Sequence, residues 1–207
     1  MADSTNLASL PFSLSASSDD AWQVDAASGV VTVTAPAYTD IFTDPAGAAS
    51  DIESMLNAAT LLGTPPPGDF QLSARVRVDF QSTFDAGVLL LWEDERHWGK
   101  LCFEFSPAGE PMVVSVVNRD FSDDANAFAV GDRSIWLRVS RVGHTYAYHA
   151  STDGEYWRMI RYFSIDDAIE RHRVGFEGQS PTGDGCTATF DQIRFSQERL
   201  RDMRDGS

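Results

Sequence analysis

Lys100 and Glu104 stand four residues apart in HWGKLCFEF (His97–Phe105), a stretch that otherwise reads as a buried β-strand. Strand side chains alternate, so Lys100, Cys102 and Glu104 share one face while Leu101, Phe103 and Phe105 share the other. As a surface ion pair the two charges would contribute under about 1 kcal/mol. Lining a groove, the lysine would donate to hydroxyl or carboxylate oxygens and the glutamate would accept from hydroxyls. Their Cα atoms are about 13 Å apart along a strand. That spacing suits contacts to opposite ends of a sugar ring and its neighbour better than an intimate pair.

Hydrolysis of a glycoside would ask for two carboxyl groups, about 5–5.5 Å apart for retention or about 6.5–9.5 Å for inversion. In Glu93-Asp94-Glu95 only the two glutamates can share a face, and the segment before His97 reads as a solvated turn. Glu104 is the better single acid, with Asp123 or Asp40 as its weak second. A lysine on its own face would hold it ionised, which suits binding rather than general-acid work. His97, His144, His149 and His172 show no metal spacing, and His144 and His149, five apart, fall on opposite strand faces. Asp120, Asp123 and Asp124 form an acidic cluster read as a loop, which leaves Ca²⁺ a minority option; otherwise no metal or cofactor is expected. Neither a phosphate-cradling glycine loop nor a G-x-S-x-G elbow is present.

Strands must position these residues, because period-two alternation dominates and the helical period is almost absent. GVVTVTAP (Gly29–Pro36), FQLSARVRVDF (Phe70–Phe80) and AGVLLLWED (Ala86–Asp94) read as successive strands. They continue with KLCFEFS, PMVVSVVN, IWLRVSRVG, TYAYHASTDG, YWRMIRYFS, HRVGFEGQS and CTATFDQIRFS. Turn residues separate them, as at Pro107-Ala108-Gly109 and Asp153-Gly154. So many short strands predict an antiparallel sandwich rather than a parallel α/β sheet. Ile135, Leu137 and Val139 should face its core with Leu101, Phe103 and Phe105, leaving Trp136 and Arg138 outside. AGAASDIESMLNAATLLG (Ala46–Gly63) reads as a helical turn or two, or as a covered loop ending at Pro65-Pro66-Pro67. SIDDAIER (Ser164–Arg171) reads as a short helical turn.

The 207 residues suit one domain, with a sandwich core at about residues 22–195 and a charged tail, 196–207, expected to fray or form a short surface helix. The chain is 43% apolar and 11% aromatic, enough for a sandwich core. A formal charge of -15 argues against nucleic acid and anionic membrane as partners, since both need a basic surface. MADSTNLASLPFSLSASSDD lacks the basic start and apolar stretch of a signal peptide, and no apolar run approaches the roughly 20 residues that span a bilayer. Cys102 and Cys186 sit in apolar strand contexts and read as buried free thiols. A cytoplasmic, acidic protein is the expectation.

DAGVLLLWEDERHWGKLCFEF followed by MVVSVVNRDFSDD resembles a family of unknown biochemical function whose members are labelled regulation-of-enolase-type proteins. Asp85, Gly87, Trp98, Lys100, Glu104, Ser115, Val116, Val117, Ser122 and Asp123 match its pattern. YTDIF (Tyr38–Phe42) is similar to its T-D-x-W/F element, and SPTGDGCTATFDQIRF to its closing strand pair. Asp124 departs from the pattern, standing where many relatives carry an aromatic. The resemblance runs from about Trp22 to Phe195. It implies an all-β, concanavalin A-like (lectin/glucanase, jelly-roll) sandwich of two antiparallel sheets, one of them concave, with little helix.

The expected activity is therefore non-catalytic recognition of a carbohydrate or sugar-derived metabolite in a concave-sheet groove. Asp40, Lys100, Glu104, Asn118, Ser122, Asp123, Arg138 and Gln179 would supply hydrogen bonds; Phe42 and Trp98, with Trp92 and Trp136, an aromatic platform. One alternative is a glycoside-active enzyme using Glu104 with a second carboxylate. The other is a regulatory protein-interaction module, because a fold of this kind hosts all three.

Overall fold

The computed structural model describes residues 4–166 and 169–207. The first half supplies β1 (Ser4–Thr5), β2 (Leu14–Ala16), β3 (Trp22–Asp25), β4 (Val30–Ala35), β5 (Ile41–Phe42), β6 (Met55–Leu56), β7 (Ala59–Gly63) and β8 (Phe70–Asp79). Next come β9 (Ala86–Asp94), β10 (His97–Phe105), β11 (Pro111–Arg119), β12 (Phe121–Ala129) and β13 (Ser134–Val142). The chain closes with β14 (Thr145–Ser151), β15 (Arg158–Phe163), β16 (Arg173–Gln179) and β17 (Cys186–Ser196). Two large antiparallel sheets result, ordered β1-β2-β7-β16-β9-β10-β11-β12 and β15-β14-β13-β8-β17-β4-β3. Among the described residues no helix is long and apolar enough to cross a membrane.

Alternation places the core. Leu72, Ala74 and Val76 of β8 and Ile135, Leu137 and Val139 of β13 meet Leu89, Leu101, Phe103 and Phe176 of the eight-stranded sheet, all fully buried. Phe105, at the end of β10, is half-buried and stacks on Phe80 with ring centroids 5.3 Å apart. Cys102 and Cys186 are both free and buried.

Three segments depart from the sequence reading. Ala46–Gly63 is a single 3₁₀ turn, Gly47–Ala49, followed by strands β6 and β7. β5 and β6 pair as a small hairpin, so residues 36–58 form an arm that lies on the outer face of the eight-stranded sheet. Ser122, Asp123 and Asp124, read as a loop, belong to edge strand β12. The tail is docked rather than frayed: Leu200 and Met203 bury against Ala147 on the outside of the seven-stranded sheet. Arg138 Nη2 donates to the Gly206 carbonyl at 2.7 Å, and His149 Nε2 donates to that of Met203 at 3.0 Å. Glycine is required at 206, where φ is +81° and a Cβ would come within 2.8 Å of Arg138. Of SIDDAIER, Ile169–Arg171 is a 3₁₀ turn and residues 167–168 lie outside the described residues.

Candidate functional site

Strand register gathers the site on the outer face of the eight-stranded sheet. Lys100 of β10 pairs with Val116 of β11, which pairs with Asp124 of β12. Two residues on, Cys102 pairs with Val88 of β9, which pairs with Glu177 of β16. Glu104 likewise leads through Ala86 to Gln179. Asp40 arrives from the arm. Lys100 is 2% exposed, and its Nζ donates to Asp40 Oδ1 and to Gln179 Oε1, both at 2.8 Å. The ammonium also lies 5.8 Å from the Trp98 ring centroid.

Burial by itself would depress the Lys100 ammonium, but the charges of Asp40 and Glu177 outweigh it and hold the group above its ordinary range. Its acidic neighbours go the other way. Burial pushes the Glu104 carboxyl up to about 8, against the pull of Lys100, and does the same to Glu177, also to about 8. Glu177 is fully buried and neither of its oxygens has a hydrogen-bond partner. Glu104 is 9% exposed and, among the described residues, no hydrogen bond reaches its carboxyl. Burial thus favours the neutral form of both carboxyls, beside an ammonium already committed to Asp40 and Gln179.

The open groove expected over Trp98 and Lys100 is closed at that end by the chain's own arm. Ile41 sits among Leu62, Val88, Leu90, Trp98 and Val116, a cluster that needs cover from water. The arm is latched by Ser122, whose Oγ accepts from Thr43 N at 2.9 Å and donates to Asn118 Oδ1 at 3.1 Å. Thr43 O accepts from Ser122 N at 3.0 Å, and Asn118 Nδ2 donates to the Arg96 carbonyl at 2.7 Å. Asn118 and Ser122 thus hold the arm, and Trp98 is fully buried beneath it. Phe42 lies half-buried on the arm's hairpin. Accessible surface is left at the Glu104 end, beside half-buried Met112 and exposed Ala129 of β12.

Other expected contacts are elsewhere. Asp123 alternates away from Asp124 and pairs with Arg161 at 3.3 Å. Arg138 and Trp136 belong to β13 in the seven-stranded sheet; Arg138 is sealed under the tail, and Trp136 lines a depression of about 270 Å³ with Trp157, Gln192 and Arg194. The acidic trio Asp120, Asp123 and Asp124 does not converge, since Asp120 pairs with Arg96 and Asp123 with Arg161. Glu93 is not in a solvated turn: its side chain is 1% exposed, paired with Arg171 and 3.6 Å from His172. Carboxylate and imidazole atoms converge at Glu93, Asp166 and His172 and at Glu93, Asp94 and His97. In the first group Tyr146 and Asp166 take the two imidazole nitrogens of His172, at 2.6 and 3.0 Å; in the second Asp94 accepts from His97.

The chain matches, over residues 17–198, the family described as "Protein of unknown function (DUF1349)". It belongs to that family. Within reach of it stands "Regulation of enolase protein 1" of Saccharomyces cerevisiae, 27% identical over 132 residues, a match spanning 63% of this chain and 66% of that protein. A functionally unknown protein from Saccharomyces cerevisiae shares the fold with a TM-score of 0.78, at 22% identity, over 95% of this chain and all of the other. The GH43 protein BlXynB from Bacillus licheniformis gives a TM-score of 0.71 at 11% identity; 90% of this chain matches only 37% of that one. These likenesses establish a β-sandwich of the kind GH43 proteins also carry.

Sequence reasoning passed over Glu177, although the signal was present. It stands two before Gln179 in HRVGFEGQS, and period-two alternation puts both on the face that carries Lys100.

Proposed function

We propose that the outer face of the eight-stranded sheet recognises a carbohydrate or sugar-derived metabolite without chemical turnover, with Glu104 as its accessible contact. The observation that carries this is Glu104, whose carboxyl no hydrogen bond from the described residues reaches, standing beside Glu177, buried with neither oxygen paired, and a lysine satisfied by Asp40 and Gln179. Buried polar groups are ordinarily paired, so an orphaned carboxyl marks a place where something else supplies the partner. A neutral carboxyl both donates and accepts, as a sugar hydroxyl does.

Catalysis is the weaker reading on the same evidence. Glycoside hydrolysis needs two carboxyls with opposite protonation, their environments pushing them apart. Here burial pushes both in one direction, to about 8. Asp40, a part-buried acid of the same face, is held by Lys100. A xylan beta-1,4-xylosidase and several GH43 proteins contain the same fold, which makes saccharides the sensible first ligands to try.

The test is a saccharide-binding screen by NMR and calorimetry, with Glu104→Leu as the control. Removing a buried hydroxyl partner should cost about 1–3 kcal/mol, roughly tenfold to a hundredfold in affinity. Cleavage of any glycoside by the wild type that vanishes in Glu104→Leu would overturn the non-catalytic reading, and absence of saccharide binding would overturn the proposal itself.

A further inference from the structure

Four non-glycine residues have left-handed backbone among those described: Tyr38 (φ +57°), Phe84 (φ +69°), Asp120 (φ +68°) and Gln192 (φ +48°). Asp tolerates that region because its short side chain bonds locally, whereas a bulky aromatic there is a strained outlier. Both aromatics are also exposed, Tyr38 at 62% and Phe84 at 36%, so neither recovers the strain through full burial. Glycine would serve either turn without strain. The fold therefore accounts for the turns but not for the side chains they carry.

Both turns stand at one end of the site. Tyr38 immediately precedes Thr39 and Asp40; Thr39 is bridged to Ser180 by two backbone hydrogen bonds, at 3.3 and 3.2 Å, and Asp40 holds Lys100. The Phe84 carbonyl accepts from Gln179 Nε2 at 3.2 Å, and Gln179 Oε1 takes the other bond from Lys100. Phe84 N donates to the Phe105 carbonyl at 2.8 Å, one residue past Glu104. Asp85, next in sequence and fully buried, accepts from Ser180 Oγ at 2.6 Å and from the amides of Gln81 and Ser82. Three loops thus lock together around Gln179-Ser180 and force both aromatics outward beside the end of the sheet that Glu104 leaves accessible.

We infer that Tyr38 and Phe84 are the aromatic rim of the site, against which a neutral sugar ring stacks while its hydroxyls reach Glu104; this rests on the carbohydrate reading above. An aromatic face and a few convergent polar groups are what a small polyhydroxylated ligand needs for orientation. The ring is neutral rather than anionic because the chain's formal charge is -15 and the cation on this face, Lys100, is already committed to Asp40. Trp98, Phe42 and Trp136 do not supply the rim: the first is buried, the second lies on the arm's hairpin and the third belongs to the other sheet.

The experiment uses the full chain with xylohexaose and cellohexaose as probes, read by calorimetry, and urea midpoints read alongside. Tyr38→Gly and Phe84→Gly should each weaken binding at least tenfold, with the urea midpoint unchanged or raised because the backbone strain is relieved. Tyr38→Phe should bind within about threefold of wild type, since it keeps the ring. If the glycine variants bind normally while Glu104→Leu does not, the rim is wrong and the underlying site stands. A lowered midpoint in the glycine variants would make the aromatics structural and overturn the inference. Should wild type bind neither hexasaccharide, the rim and the site reading fail together.

Discussion

Replacing Glu177 by glutamine should change the pH dependence of stability in a direction that identifies which force governs the buried face. The glutamate is fully buried, lacks hydrogen-bond partners, and burial raises its carboxyl from 4.5 to about 8 against the attraction of Lys100. Below pH 4.5 the group is protonated in both folded and unfolded chains, and the fold bears no penalty. As pH rises the unfolded chain releases its proton first, so the folded state binds more protons and stability falls until about pH 8. At about 1.4 kcal/mol per pH unit, the interval from pH 6 to 8 removes up to about 3 kcal/mol for an independent group. Glu104 titrates in the same range and shares the field of Lys100, so about 2 kcal/mol is the working figure. Glutamine keeps the shape of the neutral carboxyl and cannot ionise. Urea denaturation at pH 6, 7 and 8 should therefore show the variant losing about 2 kcal/mol less than wild type across that range. Parallel decline of the two proteins would refute the reasoning. A variant less stable than wild type at every pH above 5 would refute it more sharply, because the pairing of ionised Glu177 with Lys100 would then outweigh desolvation.

Three further outcomes are expected. Lys100→Met leaves part-buried Asp40 without its cation and Gln179 without its donor, and should lower stability by about 3 kcal/mol in urea titrations at pH 7; a loss under about 1 kcal/mol would mean the arm does not depend on this pair. Ser122→Ala removes the acceptor of the Thr43 amide and should cost about 1 kcal/mol, with hydrogen exchange accelerating at Thr43 ahead of the sheet amides; unchanged exchange at Thr43 would argue against the latch. His149, fully buried under the tail, has its imidazole pushed down to about 4 by burial first and by Arg138 next. Its neutral form stabilises the fold above the ordinary value of 6.5, and that contribution is lost as pH falls from 6.5 toward 4, by about 3 kcal/mol. His149→Gln should flatten that acidic limb, and an identical limb in wild type and variant would show that another group controls it.

The sandwich itself was legible because alternation is a direct imprint of a strand with two unlike faces. IWLRVSRV puts Ile135, Leu137 and Val139 inward as read, and FQLSARVRVDF buries Leu72, Ala74 and Val76 by the same alternation. The arm was not legible from its own residues: AGAASDIESMLN lacks a sustained period, and its hairpin contributes only two residues per strand. Yet the strands beneath it announced a cover. AGVLLLWED and PMVVSVVN are apolar at successive positions, so neither of their faces is suited to water. Val88 and Leu90 face the arm while Leu89 and Leu91 face the core, and all four are buried. The tail escaped notice for a different reason, since Leu200 and Met203 are lone apolar residues among charges and reveal their purpose only when the chain folds back.

Concealment of the Lys100 face sharpens the functional argument rather than weakening it. An arm needing only to be held down could rest on apolar side chains alone, as Ile41 does, and exchanging a buried ion pair for hydrophobic contact is often neutral or stabilising. This face instead buries a lysine with more carboxyls than it can satisfy: Asp40 takes its proton donor, while Glu104 and Glu177 receive none. Desolvating two such carboxyls destabilises the fold, increasingly so at alkaline pH, and the attraction of Lys100 offsets it only in part. The left-handed Tyr38 and Phe84 add strain at the same end of the sheet. Stability gives a reason for Ile41, Val88 and Val116, and none for this concentration of unfavourable features. Strained backbone and unpaired polar groups of this kind cluster at functional sites, and among the described residues this cluster stands where Glu104 remains within reach of solvent.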